Sequence, residues 1–556
     1  MADADENEHL RARAQAWLDD DPDPAGREEL RTLLAGLPAT RAELADRFAG
    51  SLTFGTAGLR GPLRAGPNGM NLAVVTRAAA GLVTWLAARG AAGPLVIGYD
   101  ARHGSRQFAE RTAQVATGVG RAALLLPRPL PTPVLAYAVR ALGAAAGVMV
   151  TASHNPPQDN GYKVYLGAEL GGSHGAGAQI VPPADVEIEA AIRAVDRLSE
   201  VPLGPAGQVL DGDLAASYVD RAAEVVDPAG SRDLTVAYTP LHGVGGPVLT
   251  AAFSRAGFPV PGVVPDQATP DPDFPTVAFP NPEEPGATDK LIELARTVGA
   301  DIAIANDPDA DRCAVAVPEA GGRWRMLRGD EVGILLADHL MRRGVAGLYA
   351  TTIVSSSLLR ALCAARGLPY DETLTGFKWI VRAGADSGHP LVFGYEEALG
   401  YCVAPEHVRD KDGITAALLV AELAAGLKTE GRTLTDRLDE LAAEFGVHRT
   451  DQLSVRVDDL REIESAMSRI RAKTPTALLD EPVTSVEDLL PAADVVVLRT
   501  GSARVVIRPS GTEPKLKAYL EVVEPVVDGD VAAARERASA TVRALRTETA
   551  AALGIW

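Results

Sequence analysis

The fold is decided by residues 94–151, which read PLVIGYDARHGSRQFAERTAQVATGVGRAALLLPRPLPTPVLAYAVRALGAAAGVMVT. Three short apolar runs in this stretch are typical of strands, and the alanine-rich segments between them are typical of helices. The predicted strands and helices alternate at Pro94–Gly98, Gln107–Val119, Ala122–Leu126, Val134–Leu142 and Gly147–Thr151. A strand, a helix and a strand in that order form the βαβ unit of an open sheet, so the stretch predicts an α/β domain.

The same alternation recurs twice toward the C-terminus, and then the pattern changes. Further strands and helices are predicted at Leu234–Tyr238, Asp301–Ala305, Glu331–Arg342, Leu348–Ile353 and Ser356–Arg366. The last part has strands with helical segments between and after them, predicted at Gln452–Val457, Val495–Arg499, Arg504–Arg508 and Lys517–Val522. We therefore predict three similar α/β domains followed by a smaller C-terminal α+β domain.

The predicted domain boundaries follow these changes of pattern. A chain of 556 residues is too long for one core, since domains usually span roughly 100–200 residues. Residues 1–50, rich in Ala, Leu, Arg and Glu, are expected to form a helical N-terminal extension. The four domains are expected at residues 51–210, 211–325, 326–445 and 446–556.

Composition excludes several classes of protein. The chain carries 54 Lys+Arg against 73 Asp+Glu, a formal net charge of −19, which repels nucleic-acid phosphates and anionic lipids. We therefore expect no nucleic acid and no membrane as partner, and an anionic ligand would need a local basic pocket. Three scattered cysteines are too few for a disulfide framework or a cysteine zinc site. Because the N-terminus is acidic and the apolar runs are far shorter than the ~20 residues of a membrane helix, we expect a cytoplasmic protein.

Two polar motifs follow predicted strands, where ligands of open α/β sheets tend to bind. The first, Thr151–Pro157 (TASHNPP), presents a serine beside a histidine, and it can be read as a nucleophile with a proton carrier or as a capping serine in an ordinary turn. The second, Asn306–Arg312 (NDPDADR), has three carboxylates at alternate positions, which favour a hard divalent cation over a solvated acidic turn. It is not an EF-hand, because Arg312 and Pro318 stand where that loop needs glycine and glutamate.

Two later motifs and a glycine-rich segment complete the set. Paired carboxylates in Gly394–Gly400 (GYEEALG) could grip sugar hydroxyls or belong to a solvated loop. Arg508–Lys515 (RPSGTEPK) combines a guanidinium, two hydroxyls and a glycine, which favours phosphate binding over a plain turn. Gly167–Gly177 (GAELGGSHGAG) lacks a following Gly-Lys-Ser/Thr and is therefore predicted to be a flexible surface loop.

Together these motifs resemble those of the α-D-phosphohexomutases, the phosphoglucomutase/phosphomannomutase superfamily. In the family's order, residues 151–156 resemble the phosphoserine loop, 307–312 the metal loop, 394–400 the sugar loop and 508–514 the phosphate loop. Residues 54–61 (FGTAGLRG) resemble the family's opening motif, and the likeness covers residues from about 51 to the C-terminus. Residues 375–379 (TGFKW) and 409–413 (RDKDG) are similar to the branch that includes phosphopentomutase-like proteins. The resemblance implies three α/β domains with mixed sheets and a smaller α+β domain around a central cleft.

The resemblance also implies a role for individual residues. It makes Ser153 the phosphorylated nucleophile and places a Mg²⁺ ion on the serine phosphate and the metal-loop acids, Asp307, Asp309 and Asp311. Arg60 and Arg312 are expected near the transferring phosphoryl group, His154 and Lys163 beside the serine loop, and Lys411 as a general acid/base. Substrate contacts are expected from residues of the opening motif and of the sugar and phosphate loops, namely Thr56, Thr375, Gly376, Glu396, Arg508, Ser510, Gly511 and Thr512.

The implied activity is an isomerase that interconverts hexose 1-phosphate and hexose 6-phosphate of glucose and/or mannose, with sugar phosphates as its small-molecule partners. Phosphoserine would donate to the free hydroxyl, giving a hexose 1,6-bisphosphate that also serves as activator, and the other phosphate would return to the serine. Ala398 stands where many members of the family carry serine, which removes one sugar hydrogen bond. Three alternatives stay open: a phosphopentomutase on ribose or deoxyribose 1-phosphate, a sugar 1,6-bisphosphate synthase, and a non-enzymatic regulatory protein that binds sugar phosphates.

Overall fold

The computed structural model describes residues 2–385, 387–457, 459–510 and 515–554. The chain divides into two compact units. The first unit comprises Met1–Leu327, Phe377–Ala385 and Ala398–Gly426, and the second comprises Arg328–Gly376, Asp386–Glu397 and Leu427–Trp556. Among the helices within the described residues, none has the length and apolar character needed to cross a bilayer.

The N-terminal extension consists of three helices in the first unit: α1 Ala2–Asp20, α2 Pro24–Ala35 and α3 Arg41–Arg47. The Asp23 carboxylate caps α2 by accepting the N–H of Ala25 at 3.1 Å, and Pro24 occupies the first helical position, where a missing N–H costs nothing. Apolar side chains of the three helices share a small core with Ala65. The Glu29 carboxylate also accepts the N–H of Ala65 at 3.0 Å, which attaches the extension to the segment after Arg60.

The first α/β domain contains a six-stranded mixed sheet in the order β1-β5-β4-β2-β3-β6. Its strands are β1 Leu59–Pro62, β2 Leu95–Tyr99, β3 Ala123–Leu125, β4 Ala146–Val150, β5 Asp159–Leu166 and β6 Gln208–Val209. Its helices are α4 Leu72–Ala88, α5 Ser105–Gly118, α6 Thr132–Ala141, α7 Ala168–Gly175 and α8 Ala184–Arg193. Strands β2, β3 and β4 are parallel, while β5 is antiparallel to β4 and to β1. Each strand and helix predicted within residues 94–151 is confirmed, with ends that differ by at most two residues.

The second α/β domain, also in the first unit, has a five-stranded mixed sheet in the order β11-β10-β9-β7-β8. Its strands are β7 Val236–Thr239, β8 Gly262–Val263, β9 Ile302–Ala305, β10 Ala314–Pro318 and β11 Trp324–Met326, and its helices are α9 Asp213–Ala223, α10 Gly245–Arg255 and α11 Asp289–Val298. Strands β7, β8 and β9 are parallel, and β10 is antiparallel to β9 and β11. Buried alanines on these strands pack against α11 in the core.

The third α/β region is shared between the two units. Its elements are α12 Gly329–Arg342, β12 Leu348–Thr352, α13 Leu358–Arg366, β13 Tyr370–Thr373, α14 Phe377–Ile380, β14 Leu391–Glu396, β15 Gly400–Cys402, α15 Gly413–Thr429 and α16 Leu434–Phe445. In the second unit, β12 pairs in parallel with β13 and β14. The elements α14 and β15 belong to the first unit.

The C-terminal domain is an antiparallel sheet with two long helices against it. Its elements are β16 Val447–Arg456, α17 Leu460–Ala472, β17 Ala477–Leu478, β18 Glu481–Pro482, β19 Ser485–Asp488, β20 Val496–Arg499, β21 Ala503–Pro509, β22 Lys515–Glu524 and α18 Val531–Leu553. The five-stranded sheet has the order β16-β22-β21-β20-β19, and its buried face forms one core with α17 and α18. The predicted fold class, three α/β domains followed by a smaller α+β domain, is confirmed.

The glycine-rich segment at residues 167–177 is not the loop that we predicted, because it contains helix α7 with a break at Gly172. Two non-local contacts hold this helix. The Glu169 carboxylate accepts the N–H of Ala92 at 3.1 Å, and Leu170 packs against the core of the first domain. Tertiary contacts therefore override the low helix propensity of the glycines.

Candidate active site

Ser153 lies directly after β4, in the first unit, with its backbone in the left-handed region at a φ of 52°. This conformation is uncommon for a residue other than glycine and is kept where surrounding contacts require it. The Ser153 N–H donates to Thr151 Oγ1 at 2.8 Å, and the Ser153 hydroxyl donates to Asp307 Oδ2 at 2.7 Å. Ser153 is 3% exposed and Asp307 is fully buried, so this hydrogen bond is shielded from solvent.

Asp307, Asp309 and Asp311 follow β9 and form one buried cluster. The turn between them places Ala310 at a φ of 54°, and one carboxylate oxygen from each aspartate lies within 4.8 Å of the other two. The Oδ1 atoms of Asp309 and Asp311 are buried with no hydrogen-bond partner among the described residues. Burial and the two neighbouring carboxylates raise the pKa of Asp307 well above its ordinary value. Unpartnered carboxylate oxygens at this spacing fit a hard divalent cation.

Two lysines partly neutralise the acid cluster. Lys163, on β5 opposite Met149 of β4, places its Nζ 2.8 Å from Asp309 and 3.2 Å from Asp311. Lys411 Nζ lies 3.3 Å from the same Asp311 oxygen. Burial by itself opposes ionisation of Asp309, but Lys163 and a hydrogen bond from Thr132 Oγ1 at 2.7 Å hold the pKa of Asp309 below its ordinary value. The cluster is thus preformed by protein cations and hydroxyls.

The remaining catalytic candidates lie around the same serine. His154 Nδ1 is 3.4 Å from Ser153 Oγ, and burial together with Arg312 and Arg60 lowers the pKa of His154 well below its ordinary value. Arg60, on β1, donates to Asn155 Oδ1 at 3.2 Å in the serine loop. The backbone N–H of Arg312 donates to Asp307 Oδ1 at 3.0 Å, and its Nε lies 3.8 Å from Asp307 Oδ2. All six candidates predicted from the sequence are therefore in the first unit, at the serine or the acids.

The predicted substrate contacts are divided between the two units. In the first unit, the Lys378 ammonium donates to the Thr56 hydroxyl, which joins the opening motif to the TGFKW motif. Lys378 was not among our sequence candidates, although it stands inside a motif that we singled out. Thr375 and Gly376 belong to the second unit, where Gly376 has a φ of 111°.

In the second unit, Tyr519 lies near the two sugar-loop acids and near Arg508 of the phosphate loop. Burial and Glu397 raise the pKa of the Tyr519 phenol, while a hydrogen bond from Arg508 opposes this shift and Glu396 also lies near. Glu397 Oε2 accepts the Ser355 hydroxyl at 3.2 Å, and Ser510 is half-buried at the end of β21. Strand β14 extends into the sugar loop, because Gly394 pairs with Ala350 of β12 and the strand continues to Glu396. Gly511 and Thr512 lie outside the described residues.

Two buried residues near the serine were missed by sequence reasoning. Asp100 and Arg102 follow β2, and Arg102 donates to the Ser153 carbonyl at 2.5 Å. An Asp-x-Arg triplet directly after a buried parallel strand was the available signal, since the carboxyl ends of neighbouring parallel strands meet at one edge of a sheet.

Comparison with protein families finds one family along most of the chain. The model described as "Phosphoglucomutase/phosphomannomutase, alpha/beta/alpha domain I" matches residues 51–198. The models for alpha/beta/alpha domains II and III of the same family match residues 216–322 and 328–445, and the model for its C-terminal domain matches residues 453–538.

The similarity to individual relatives extends over nearly the whole length of each relative. A "Probable phosphomannomutase" of Haemophilus influenzae is 46% identical over 462 residues, covering 82% of this chain and 93% of the relative. A "Phosphopentomutase" of Mus musculus is 33% identical over 585 residues, covering 92% of this chain and 90% of the relative. A crystal structure titled as a putative phosphomannomutase from Thermus thermophilus is 28% identical with a TM-score of 0.69, covering 89% of this chain and 99% of that one.

Proposed function

This chain belongs to the phosphoglucomutase/phosphomannomutase family of isomerases, and on that premise we propose that it interconverts hexose 1-phosphate and hexose 6-phosphate. The proposed substrates are phosphates of glucose and/or mannose, and the proposed carrier of the phosphoryl group is Ser153. A phosphomannomutase name on a relative that is 46% identical supports a hexose substrate.

One observation carries this proposal. The Ser153 hydroxyl lies 2.7 Å from a carboxylate of a buried three-aspartate cluster, although 154 residues separate the two in the chain. A buried serine that was only structural would need one hydrogen-bond partner and no group of acids with unpartnered oxygens. Arg60 and Arg312 beside this pair are suited to the charge that develops on a transferring phosphoryl group.

In the proposed reaction, the sugar hydroxyl attacks the phosphorus of phospho-Ser153. The bond from phosphorus to Ser153 Oγ breaks as the bond to the sugar oxygen forms, and Lys411 is our candidate to accept the proton of the sugar hydroxyl. The electron pair of the broken bond stays on Ser153 Oγ, which takes up one proton and becomes a hydroxyl again. The product at this stage is a hexose 1,6-bisphosphate. After the sugar has turned, the reverse reaction at its other phosphate restores phospho-Ser153, so added hexose 1,6-bisphosphate would activate an enzyme that has lost its phosphate. Arg60 and Arg312 would orient the phosphoryl oxygens, and His154 lies beside the leaving oxygen, with its Nδ1 3.4 Å from Ser153 Oγ.

Asp307, Asp309, Asp311 and the phosphate on Ser153 would hold a Mg²⁺ ion, which supplies Lewis-acid polarisation of the serine phosphate. Lys163 holds Asp309 and Asp311 close together, because its Nζ lies within 3.2 Å of both carboxylates. The burial of the serine excludes water, which would otherwise hydrolyse the phosphoserine.

We assign the substrate contacts to the remaining predicted residues. Glu396 would accept sugar hydroxyls, with Thr375, Gly376 and Thr56 as further contacts. Arg508 and Ser510, together with Gly511 and Thr512, would bind the phosphate that is not reacting. The position of Arg508 beside Tyr519 and the sugar-loop acids supports a common substrate for these groups.

A phosphopentomutase is the second candidate, and two observations favour it. A relative with that name is 33% identical over 92% of this chain, and Ala398 removes a hydroxyl from the sugar loop. The two candidates differ only in the sugar, so they predict the same phosphoserine.

Intact mass and peptide mapping of the purified protein test the carrier. We expect phosphate on Ser153, no phosphate and no turnover in Ser153→Ala, and normal behaviour in the control Ser254→Ala, an exposed serine of α10. Near-normal turnover of Ser153→Ala would overturn the proposal. Coupled assays with glucose, mannose, ribose and deoxyribose 1-phosphates identify the sugar, and a kcat/KM about tenfold higher for a pentose would favour the second candidate.

A further inference from the structure

The Arg102 side chain forms hydrogen bonds with the backbone of the serine loop. Its guanidinium donates to the Ser153 carbonyl at 2.5 Å and the Asn155 carbonyl at 2.6 Å through Nη2, and to the carbonyls of Pro156 at 2.9 Å and Asp159 at 3.2 Å through Nη1. The side chain is 1% exposed. A planar fork that donates to four carbonyl oxygens, in the serine loop and at the start of β5, fixes the direction of that backbone, which a single point charge could not do.

Asp100 forms a second set of contacts that hold the backbone of Ser153. Its carboxylate lies 3.3 Å from Arg102 Nε and accepts the hydroxyls of Ser105 and Thr151, each at 2.6 Å. The Thr151 oxygen in turn accepts the N–H of Ser153 at 2.8 Å. The amide of Ser153 is thus fixed through Asp100, and its carbonyl is fixed through Arg102.

The same arginine also touches the domain that carries the aspartates. The Arg102 guanidinium lies 5.0 Å from the centre of the Phe274 ring, and the neighbouring His103 Nε2 is 2.7 Å from an Asp273 carboxylate oxygen. Phe274, in the second α/β domain, is 2% exposed and has a φ of 46°. Arg102 therefore contacts residues of both domains that the hydrogen bond between Ser153 and Asp307 connects.

We propose that Arg102 is a positioning residue for phosphoryl transfer: its guanidinium holds Ser153 in the left-handed conformation that aims the hydroxyl at the aspartate cluster. The inference rests on the proposed function of Ser153 and adds a residue that does not itself reach the transferring group. Because Ser153 at a φ of 52° is not locally favoured, the loop without Arg102 would turn the hydroxyl away from Asp307. A misplacement of about 1 Å at a reacting atom costs roughly 100-fold in rate.

The test compares Arg102→Ala and Arg102→Lys with a matched control in the same domain. Arg121 likewise donates to two backbone carbonyls, of Gly93 at 2.6 Å and Ala91 at 2.8 Å, but it does so outside the serine loop. We expect both Arg102 variants to lose roughly 100-fold in kcat with KM within about threefold of the parent. Arg121→Ala should lower the melting temperature and leave kcat unchanged.

Recovery of kcat on addition of guanidinium ion distinguishes a positioning role from a general loss of stability, which the ion would not repair. We expect guanidinium ion, at concentrations well below those that unfold the protein, to restore part of the kcat of Arg102→Ala and none of that of Arg102→Lys, whose side chain still fills the space. If Arg102→Ala does not fold, Arg102→Lys carries the kinetic comparison, and peptide mapping measures how fast hexose 1,6-bisphosphate phosphorylates its Ser153.

The outcomes separate this inference from the function on which it rests. A parent enzyme whose Ser153 carries no phosphate even after incubation with hexose 1,6-bisphosphate would refute the proposed function. A phosphorylated parent, with Arg102 variants that transfer the group at the parental rate or with a KM effect only, would refute the positioning role alone. A loss of kcat equal to that of Arg121→Ala would also refute it.

Discussion

A buried carboxylate in the C-terminal domain gives the sharpest stability prediction. Glu521, on β22, lies 3.0 Å from Arg504 and accepts the Ser356 hydroxyl and the Ser357 N–H, each at 2.8 Å. Arg504 also pairs with Glu372 at 3.1 Å. Glu521→Gln keeps the shape of the side chain and removes its charge, so it tests how firmly the sheet that carries Arg508 is attached to the sugar-loop domain.

The loss of folding free energy expected for Glu521→Gln follows from the pKa of Glu521. Burial by itself raises this pKa, but Arg504 and a hydrogen bond with His448 outweigh it and lower the value from 4.5 to about 2. Linkage converts that difference into about 3 kcal/mol of folding free energy at neutral pH. Removing one partner of a buried pair costs about 3–5 kcal/mol, and the lower end applies because Glu372 still neutralises Arg504. Both estimates give about 3 kcal/mol.

The pH dependence has a definite sign. The folded-state pKa of Glu521 is lowered, so its contribution is complete above the unfolded value of 4.5 and is lost as the pH falls toward about 2. The stability difference between the parent and Glu521→Gln should therefore be constant from pH 7 to about pH 5 and shrink by about half at pH 3.

Amide hydrogen exchange in β22 measures this difference, because one unfolding transition does not report a single site in a chain of several domains. The control is Glu444→Gln, which removes an exposed ion pair with Arg366 and should cost less than about 1 kcal/mol. A loss of less than about 1 kcal/mol for Glu521→Gln at pH 7, or a difference that does not change down to pH 3, would refute this reasoning.

Three further predictions concern the backbone near β1, the metal and the phosphate loop. Gly58→Ala should lower the free energy of unfolding by about 3 kcal/mol or more, because a Cβ there would lie 1.8 Å from the Tyr162 carbonyl oxygen. The control Gly90→Ala, also at positive φ but with open space around it, should lower it by only about 1 kcal/mol. Equal melting temperatures for the two variants would contradict the crowding at Gly58. Chelation with EDTA should stop turnover while phosphate stays on Ser153, and Mg²⁺ should restore turnover; undiminished turnover in EDTA would rule out the metal role. Arg508→Ala should raise KM by about 10- to 100-fold with a smaller change in kcat, and an unchanged KM would remove Arg508 from the phosphate site.

Local sequence patterns were sufficient to predict much of the fold and the candidate site. Alternating apolar and alanine-rich runs predicted β2, α5, β3, α6 and β4, because these elements are specified by side chains within a few residues of one another. Polar motifs after β4 and β9 led us to predict a site at Ser153 and the three aspartates, since ligand sites of open sheets lie at the carboxyl ends of strands, and these residues lie together in the structure. Four family models in one order agree with the resemblance that these motifs carry.

Other features depend on residues that are far apart in the chain. The glycines of 167–177 predicted a loop, and contacts with Ala92 and the domain core made it a helix. Arg102 is one of many arginines in the sequence, and only the packing of β2 beside β4 places it under the serine loop.

From the sequence alone, the order of domains, the candidate serine and the acids that accompany it could be predicted, because each lies in a short contiguous motif. Tertiary structure alone decided that Ser153 Oγ meets Asp307 at 2.7 Å, that Ser153 is held in a left-handed conformation, and that a buried ion pair fastens β22 beside the sugar-loop domain. The physical reason is that these distances arise where separate domains pack together, and no local propensity encodes the relative position of two distant segments.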